Sequence, residues 1–111
     1  MDKLTRYRQI VRQVIEEYAS YKVSHGQIET QAIIDLERDH FVVMDVGWHG
    51  RTRVHHPVIR LDIHDGKVWL QYDLTNRPVA DELVAAGIPK EDIVLAFHPA
   101  DIRHHTGYAV G

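Results

Sequence analysis

Nine histidines stand in a chain of 111 residues. The clusters His55-His56, His98 and His104-His105, with Asp101 as an added oxygen donor, raise the question of metal coordination. Adjacent side chains on a strand point to opposite faces, so His55 and His56 cannot chelate one ion together. Neither a His-x-His nor a His-Glu-x-x-His spacing occurs. The histidines therefore read as solvated surface imidazoles. Asp65-Gly66-Lys67 matches the Asp-x-Lys half of a nuclease centre in which carboxylates hold a divalent ion and the lysine assists the attacking water, with Asp62 as the second carboxylate. Asp-Gly is also the preferred pair of a tight hairpin, and a loop tip holds metal ligands poorly. The turn reading prevails. Serine occurs only at Ser20 and Ser24, outside any nucleophile turn, cysteine is absent, and the glycines sit singly rather than in a phosphate-binding loop. No catalytic, cofactor-binding or metal-ligating residue is assigned, and binding is the expected mode of action.

What would be bound is constrained by charge. Thirteen Lys and Arg against sixteen Asp and Glu give a net charge of -3, whereas gripping phosphate backbones calls for a basic surplus. Local features still suggest possible DNA contact: Lys3, Arg6, Arg8 and Arg12 at the chain start, and Arg51, Arg53 and Arg60 near Trp48 and Trp69. The preferred alternative is that these arginines pair with the abundant acids while the tryptophans pack on the sheet or a partner.

The elements that must position these residues follow from periodicity. Leu4, Tyr7, Val11, Val14, Tyr18 and Tyr21 recur at spacings of three and four, widened by Ile10 and Ile15, which predicts an amphipathic helix over 3–22 capped by Asp2 and ended by Ser24-His25-Gly26. Packing on the protein's own sheet is preferred to a coiled-coil contact. From Gln27 the period becomes two, with Ile28, Ala32, Ile34 and Leu36 on one face. A second strand runs from Phe41 to Trp48, and the intervening turn leaves two registers open: a two-residue loop at Arg38-Asp39, or a five-residue loop aligning Met44 with Ile34. The Asp65-Gly66 turn pairs Ile63 with Val68, Leu61 with Leu70 and Ile59 with Tyr72 inward, leaving Asp62, Trp69, Arg60 and Gln71 outward. Pro57 marks an edge, a bulge or a strand start. Pro78, with Asp81 and Glu82, opens a short helix stopped by Gly87; Ile93 to Phe97 is a buried strand or extended run, and Tyr108-Ala109-Val110 docks on the body.

With 44% hydrophobic residues, the chain has the content of one core, so residues 1–111 are expected to form a single domain. The polar start Met1-Asp2-Lys3 lacks a secretory signal and no apolar run reaches membrane-spanning length, which leads to the expectation of a cytoplasmic protein with no membrane segment. The predicted fold class is α+β: an N-terminal helix packed on an antiparallel meander of about four strands, followed by short C-terminal helices. Trp69 shares its outward face with polar residues, which marks that face as an interface to a second copy or to another protein, and a homo-oligomer is expected.

The sequence resembles the XisI family of cyanobacterial proteins along nearly its whole length. The likeness rests on Met1-Asp2-Lys3-Leu4 with Tyr7-Arg8, on Glu37-Arg38-Asp39-His40, on Val46-Gly47-Trp48, and on Leu61-Asp62-Ile63 followed by Asp65-Gly66-Lys67-Val68-Trp69. It continues through Ala80, Glu82-Leu83, the run from Gly87 to Leu95, Phe97-His98-Pro99, Arg103 and Tyr108-Ala109-Val110-Gly111, with Tyr108 departing from an expected phenylalanine. The resemblance implies a non-enzymatic controlling factor for excision of the fdxN element during heterocyst development, acting with an XisH-like companion and a site-specific recombinase. It supplies no catalytic residues. The candidate partner contacts are Trp48, Trp69, Phe97, His98 and Arg103. Direct DNA binding is the alternative, and a metal-dependent nuclease a third reading.

Overall fold

The computed structural model describes residues 2–21 and 27–111, so the predicted helix stop at Ser24-His25-Gly26 lies outside the described residues. Helix α1 spans Lys3–Tyr21. Asp2 caps it as expected: its carboxylate accepts the Thr5 amide at 2.8 Å and the Thr5 hydroxyl at 3.1 Å, satisfying an orphan donor of the first turn. Tyr7, Val11 and Ile15, one turn apart, are buried, with Leu4, Ile10, Val14 and Tyr18 packed at their flanks. The centre of the stripe is thus a row at i, i+4, i+8, and it packs on the sheet rather than on another helix of a coiled coil. Each fully buried aliphatic side chain contributes about 1.5–3 kcal/mol.

Strands β1 (Gln27–Asp35), β2 (His40–His49), β3 (Thr52–His64), β4 (Lys67–Asp73) and β5 (Ile93–Leu95) form one sheet in chain order. The first four make the expected meander. The fifth pairs in parallel with β4, reached through helix α2 (Val79–Ala85), so the sheet carries one strand more than predicted. Phe41, Val43, Ile59, Leu61, Val68, Leu70 and Ile93 face α1 and α2 as the core. α2 ends in a Schellman motif: Gly87, at φ 115°, donates to the Val84 carbonyl and Ile88 to that of Leu83, with Leu83 and Ile88 both buried.

Two registers differ from expectation. The β1–β2 loop has neither two nor five residues but four, placing Asp35 opposite His40 and Ala32 opposite Val43. The Asp35 carboxylate accepts the amides of Glu37 and Arg38, and Asp39 closes the loop in the left-handed region at φ 57°. In the β3–β4 hairpin, Asp65 and Gly66 adopt φ 51° and 75°, and the pairs 63–68, 62–69 and 61–70 form as read. Beyond Leu61 the register slips, so that Tyr72 faces Arg60 on the outer side and Ile59 meets Asp73 instead of Tyr72. Pro57 sits at a further bulge, where Met44 pairs with Pro57 and Val43 with Ile59, so of its three readings the bulge holds. A 3₁₀ turn, Ala100–His105, leads to the C-terminal residues, which dock beside β5 through the Val94–Ala109 bridge.

Candidate functional site

Both helices occupy one face of the sheet, and the functional candidates are distributed over the other. Trp69 alternates with Val68 and Leu70, which point into the core, so its indole emerges outward and stays half-buried. Its Nε1 donates to the His64 carbonyl at 3.0 Å, the His64 ring stands edge-on at 6.0 Å, and the Arg103 guanidinium lies over it at 5.7 Å. Arg103 ties the C-terminal segment together: its Nε donates to the His98 carbonyl at 3.0 Å, and its terminal nitrogens reach Ala96 and Val110 carbonyls at 3.4 and 3.5 Å. The Lys67 ammonium donates to the Gly111 carbonyl at 2.9 Å. Phe97 projects from the turn after β5, 47% exposed, its ring against His98 at 4.6 Å.

Four of the five candidate contacts are therefore gathered at one end. Trp48 is not among them. It lies eight residues further along β2 from His40, roughly 26 Å at about 3.3 Å per residue, is 44% exposed, and sits under the Arg53 guanidinium at 5.2 Å.

Beside Trp69 lies a cluster that sequence reasoning did not assemble. Asp62, only 9% exposed, accepts hydrogen bonds from three directions: His40 Nδ1 at 2.9 Å, Arg60 Nε at 3.2 Å, and Gln71 Nε2 at 3.2 Å. Asp62, His40 and Gln71, with Arg38, Ile63, His64 and Trp69, line an open cavity of about 390 Å³. With Nδ1 engaged by the carboxylate, His40 turns Nε2 away from Asp62, beside a flat aromatic wall. The arrangement suits capture of a planar or hydrogen-bonding group. The outward alternation of Asp62, Trp69, Arg60 and Gln71 was the legible signal; the long-range approach of His40 had none.

The nuclease reading finds no support in this geometry, since Asp62 is already engaged by three donors and the side chain of Asp65 is 79% exposed at the hairpin tip beside His64. Among the described residues no group of three His, Cys, Asp or Glu is placed to hold a metal ion. The basic start of α1 is largely neutralised: Lys3 pairs with Asp92 at 2.9 Å, Arg8 with Asp39 at 2.8 Å and Arg12 with Glu16 at 2.5 Å. At the same seam Tyr7 donates its hydroxyl to Asp92. Burial and the Asp92 carboxylate push the Tyr7 phenol up to about 12. Burial pushes Asp92 up, but the Tyr7 and Lys3 hydrogen bonds outweigh it and hold the carboxyl below its usual range. No helix among the described residues is long and apolar enough to cross a membrane.

Fold and surface together define a two-layer α+β protein with one sheet face covered by helices and a second face carrying the Trp69 and Asp62 cluster. The chain belongs to the XisI family, whose model, described as XisI protein, matches residues 1–110. It is similar to a XisI-like protein from Anabaena variabilis ATCC 29413, at 45% identity over 97% of this chain and 99% of that one, with a TM-score of 0.94. It is also similar to the fdxN element excision controlling factor XisI of the same organism, at 38% identity over 99% of this chain and all of that one, with a TM-score of 0.88. No curated protein matches it.

Proposed function

We propose that this protein is a non-enzymatic control factor for excision of an fdxN-type DNA element, acting by binding a companion protein at the Trp69 end of its outer sheet face. The excision role is supported by the 38% identity to a protein named as that controlling factor over 99% of this chain. The mode of action rests on one observation: a half-buried indole, a histidine–aspartate pair and an open cavity stand together on the sheet face that carries no helix, with the exposed Phe97 linked to the indole through His98 and Arg103. A partner's aromatic or amide side chain entering that cavity would bury the indole edge and meet His40, which is the anatomy of an interface anchor. The companion is an XisH-like protein, with a site-specific recombinase as the further member of the assembly. Direct DNA contact is disfavoured by the net charge of -3 and by the carboxylates already paired with Lys3, Arg8 and Arg12.

The test is co-expression of the tagged chain with an XisH-like companion. Stoichiometric co-purification is expected, with Phe97→Ser weakening it at least tenfold while thermal stability changes little, and His40→Ala weakening it at least tenfold at a cost of about 1–3 kcal/mol in stability, since Asp62 loses a donor. Absence of any complex, combined with salt-sensitive retardation of DNA fragments, would replace this reading by the DNA-binding one.

A further inference from the structure

The outer face carries a second feature, distinct from the Trp69 cavity. Val42, Met44, Val46 and Trp48 alternate outward along β2 and form an apolar stripe with no helix over it. Ile33, 46% exposed, flanks the stripe on β1 opposite Val42, and Pro57 flanks it on β3 opposite Met44. The C-terminal segment covers only the β4–β5 side, where Ala109 bridges Val94 and a Cβ on Gly111 would stand 3.5 Å from Trp69. An outward row of valines, methionine and tryptophan on a central strand is the pattern of a sheet meant to be covered on both faces.

Charge identifies the cover. Across the sheet, the row through Val46 reads Glu29 on β1, Val46, then His55 on β3, and the row through Trp48 reads Gln27, Trp48, Arg53. In these two rows the β1 flank is acidic or amide and the β3 flank is imidazole or guanidinium, while the middle is apolar. Such a face is complementary to itself. A two-fold axis parallel to β2 lays β2 on β2 and carries the β1 flank of one copy over the β3 flank of the other, so Glu29 meets His55 and Gln27 meets Arg53 twice over. The row at the other end reads Asp35, His40, Asp62, with a carboxylate on both flanks, so self-pairing ends there.

We propose that the outer face of β1–β3 is an isologous interface between two copies of this chain, packed sheet on sheet with Met44 and Val46 at the centre and Glu29–His55 contacts at the rim. The overlap stops short of the Asp35–His40–Asp62 row and β4 lies beyond it, so the Trp69 cavity, which His40 and Asp62 line at that end, remains open in the dimer for the companion proposed above. Three strands about 4.8 Å apart and some nine residues long give a footprint of roughly 400 Å² before side-chain relief. That is small against the roughly 800 Å² per partner of a standard interface, so the dimer exchanges with monomer at micromolar concentrations.

Sedimentation equilibrium of the full chain across micromolar to sub-millimolar concentrations tests this. A mass rising from one chain to two is expected. Met44→Glu should weaken association more than tenfold. Trp48→Ala, at an exposed position that does not threaten folding, should weaken it measurably. Glu29→Lys should lose about tenfold, and adding His55→Glu should recover most of that loss. A monomer at every concentration overturns the proposal, as does a dimer indifferent to Met44→Glu, Trp48→Ala and Glu29→Lys, which would point to pairing through the free edge of β1. Neither result bears on companion binding at the Trp69 end.

Discussion

Replacing Tyr7 by phenylalanine should abolish a loss of stability that the parent protein suffers at high pH. Tyr7 is buried in the core face of α1, yet its hydroxyl donates to Asp92, which Lys3 also grips at 2.9 Å. Ionising the phenol would bring a second negative charge against that carboxylate in a place with little water. Hence the rise from 10.0 to about 12. Because the pKa is raised in the folded state, the contribution is fully present below pH 10.0 and is lost as pH climbs toward 12. Two pKa units at 1.36 kcal/mol each set a limit of about 3 kcal/mol, of which about 1.4 kcal/mol is gone by pH 11. Urea unfolding at pH 9, 10 and 11 measures it. The parent protein should lose about 1.4 kcal/mol between pH 9 and 11 beyond what Tyr7→Phe loses. Tyr7→Phe should itself be weaker at pH 9, since Asp92 forfeits a donor. Tyr108, also raised by burial and by Asp81, supplies a Tyr108→Phe control that retains the Tyr7 slope. Parallel pH profiles for the parent and Tyr7→Phe would refute the argument.

Gly47→Ala should cost about 3 kcal/mol or more, because φ is 152° and a Cβ there would stand 1.9 Å from the Gln27 carbonyl oxygen, backbone that cannot swing aside; an unchanged urea midpoint would contradict it. Arg103→Ala should cost about 1–2 kcal/mol and act locally, speeding amide exchange at Ala109 and shifting Trp69 fluorescence toward the solvent-exposed value. Arg103→Lys should restore little, since an ammonium cannot span three carbonyls and stack on an indole together.

Much of the architecture was legible where local chemistry and pattern agree. Asp65-Gly66 dictates a two-residue turn, and the three pairs nearest it follow, including the outward aim of Trp69. Legibility ends at the bulge beyond Leu61, because an extra residue leaves no mark on an alternating pattern, and Tyr72 consequently turns outward. The first hairpin was open to misreading for a related reason: Asp35 substitutes its side chain for a backbone acceptor, producing a four-residue loop that pattern alone does not distinguish. Ile93–Leu95 reads as buried, but a short apolar run carries no direction, so parallel pairing with β4 was not deducible. At the candidate site, Asp62 and Trp69 could be placed on one face from sequence. The carbonyls that Arg103 collects come from Ala96, His98 and Val110, and no periodicity brings those together.

The two ends of the outer face differ in what they can discriminate. A nearly buried carboxylate such as Asp62 is costly unless partnered, and it is held by groups from three places: His40 on β2, Arg60 on β3 and Gln71 at the bulged part of β4. Such a network adds little net stability, but it fixes the directions in which His40 and Trp69 can meet another molecule. A partner lacking the matching polar group would leave part of it unsatisfied, at about 1–3 kcal/mol per group. The Val42–Trp48 stripe imposes no such condition, since apolar area is attracted to any surface of the right shape, and only its acidic and basic flanks set the register. Self-association is therefore the less exacting interaction and companion choice the more exacting one. Substitutions in the Asp62 network should change which protein binds while leaving dimerisation intact.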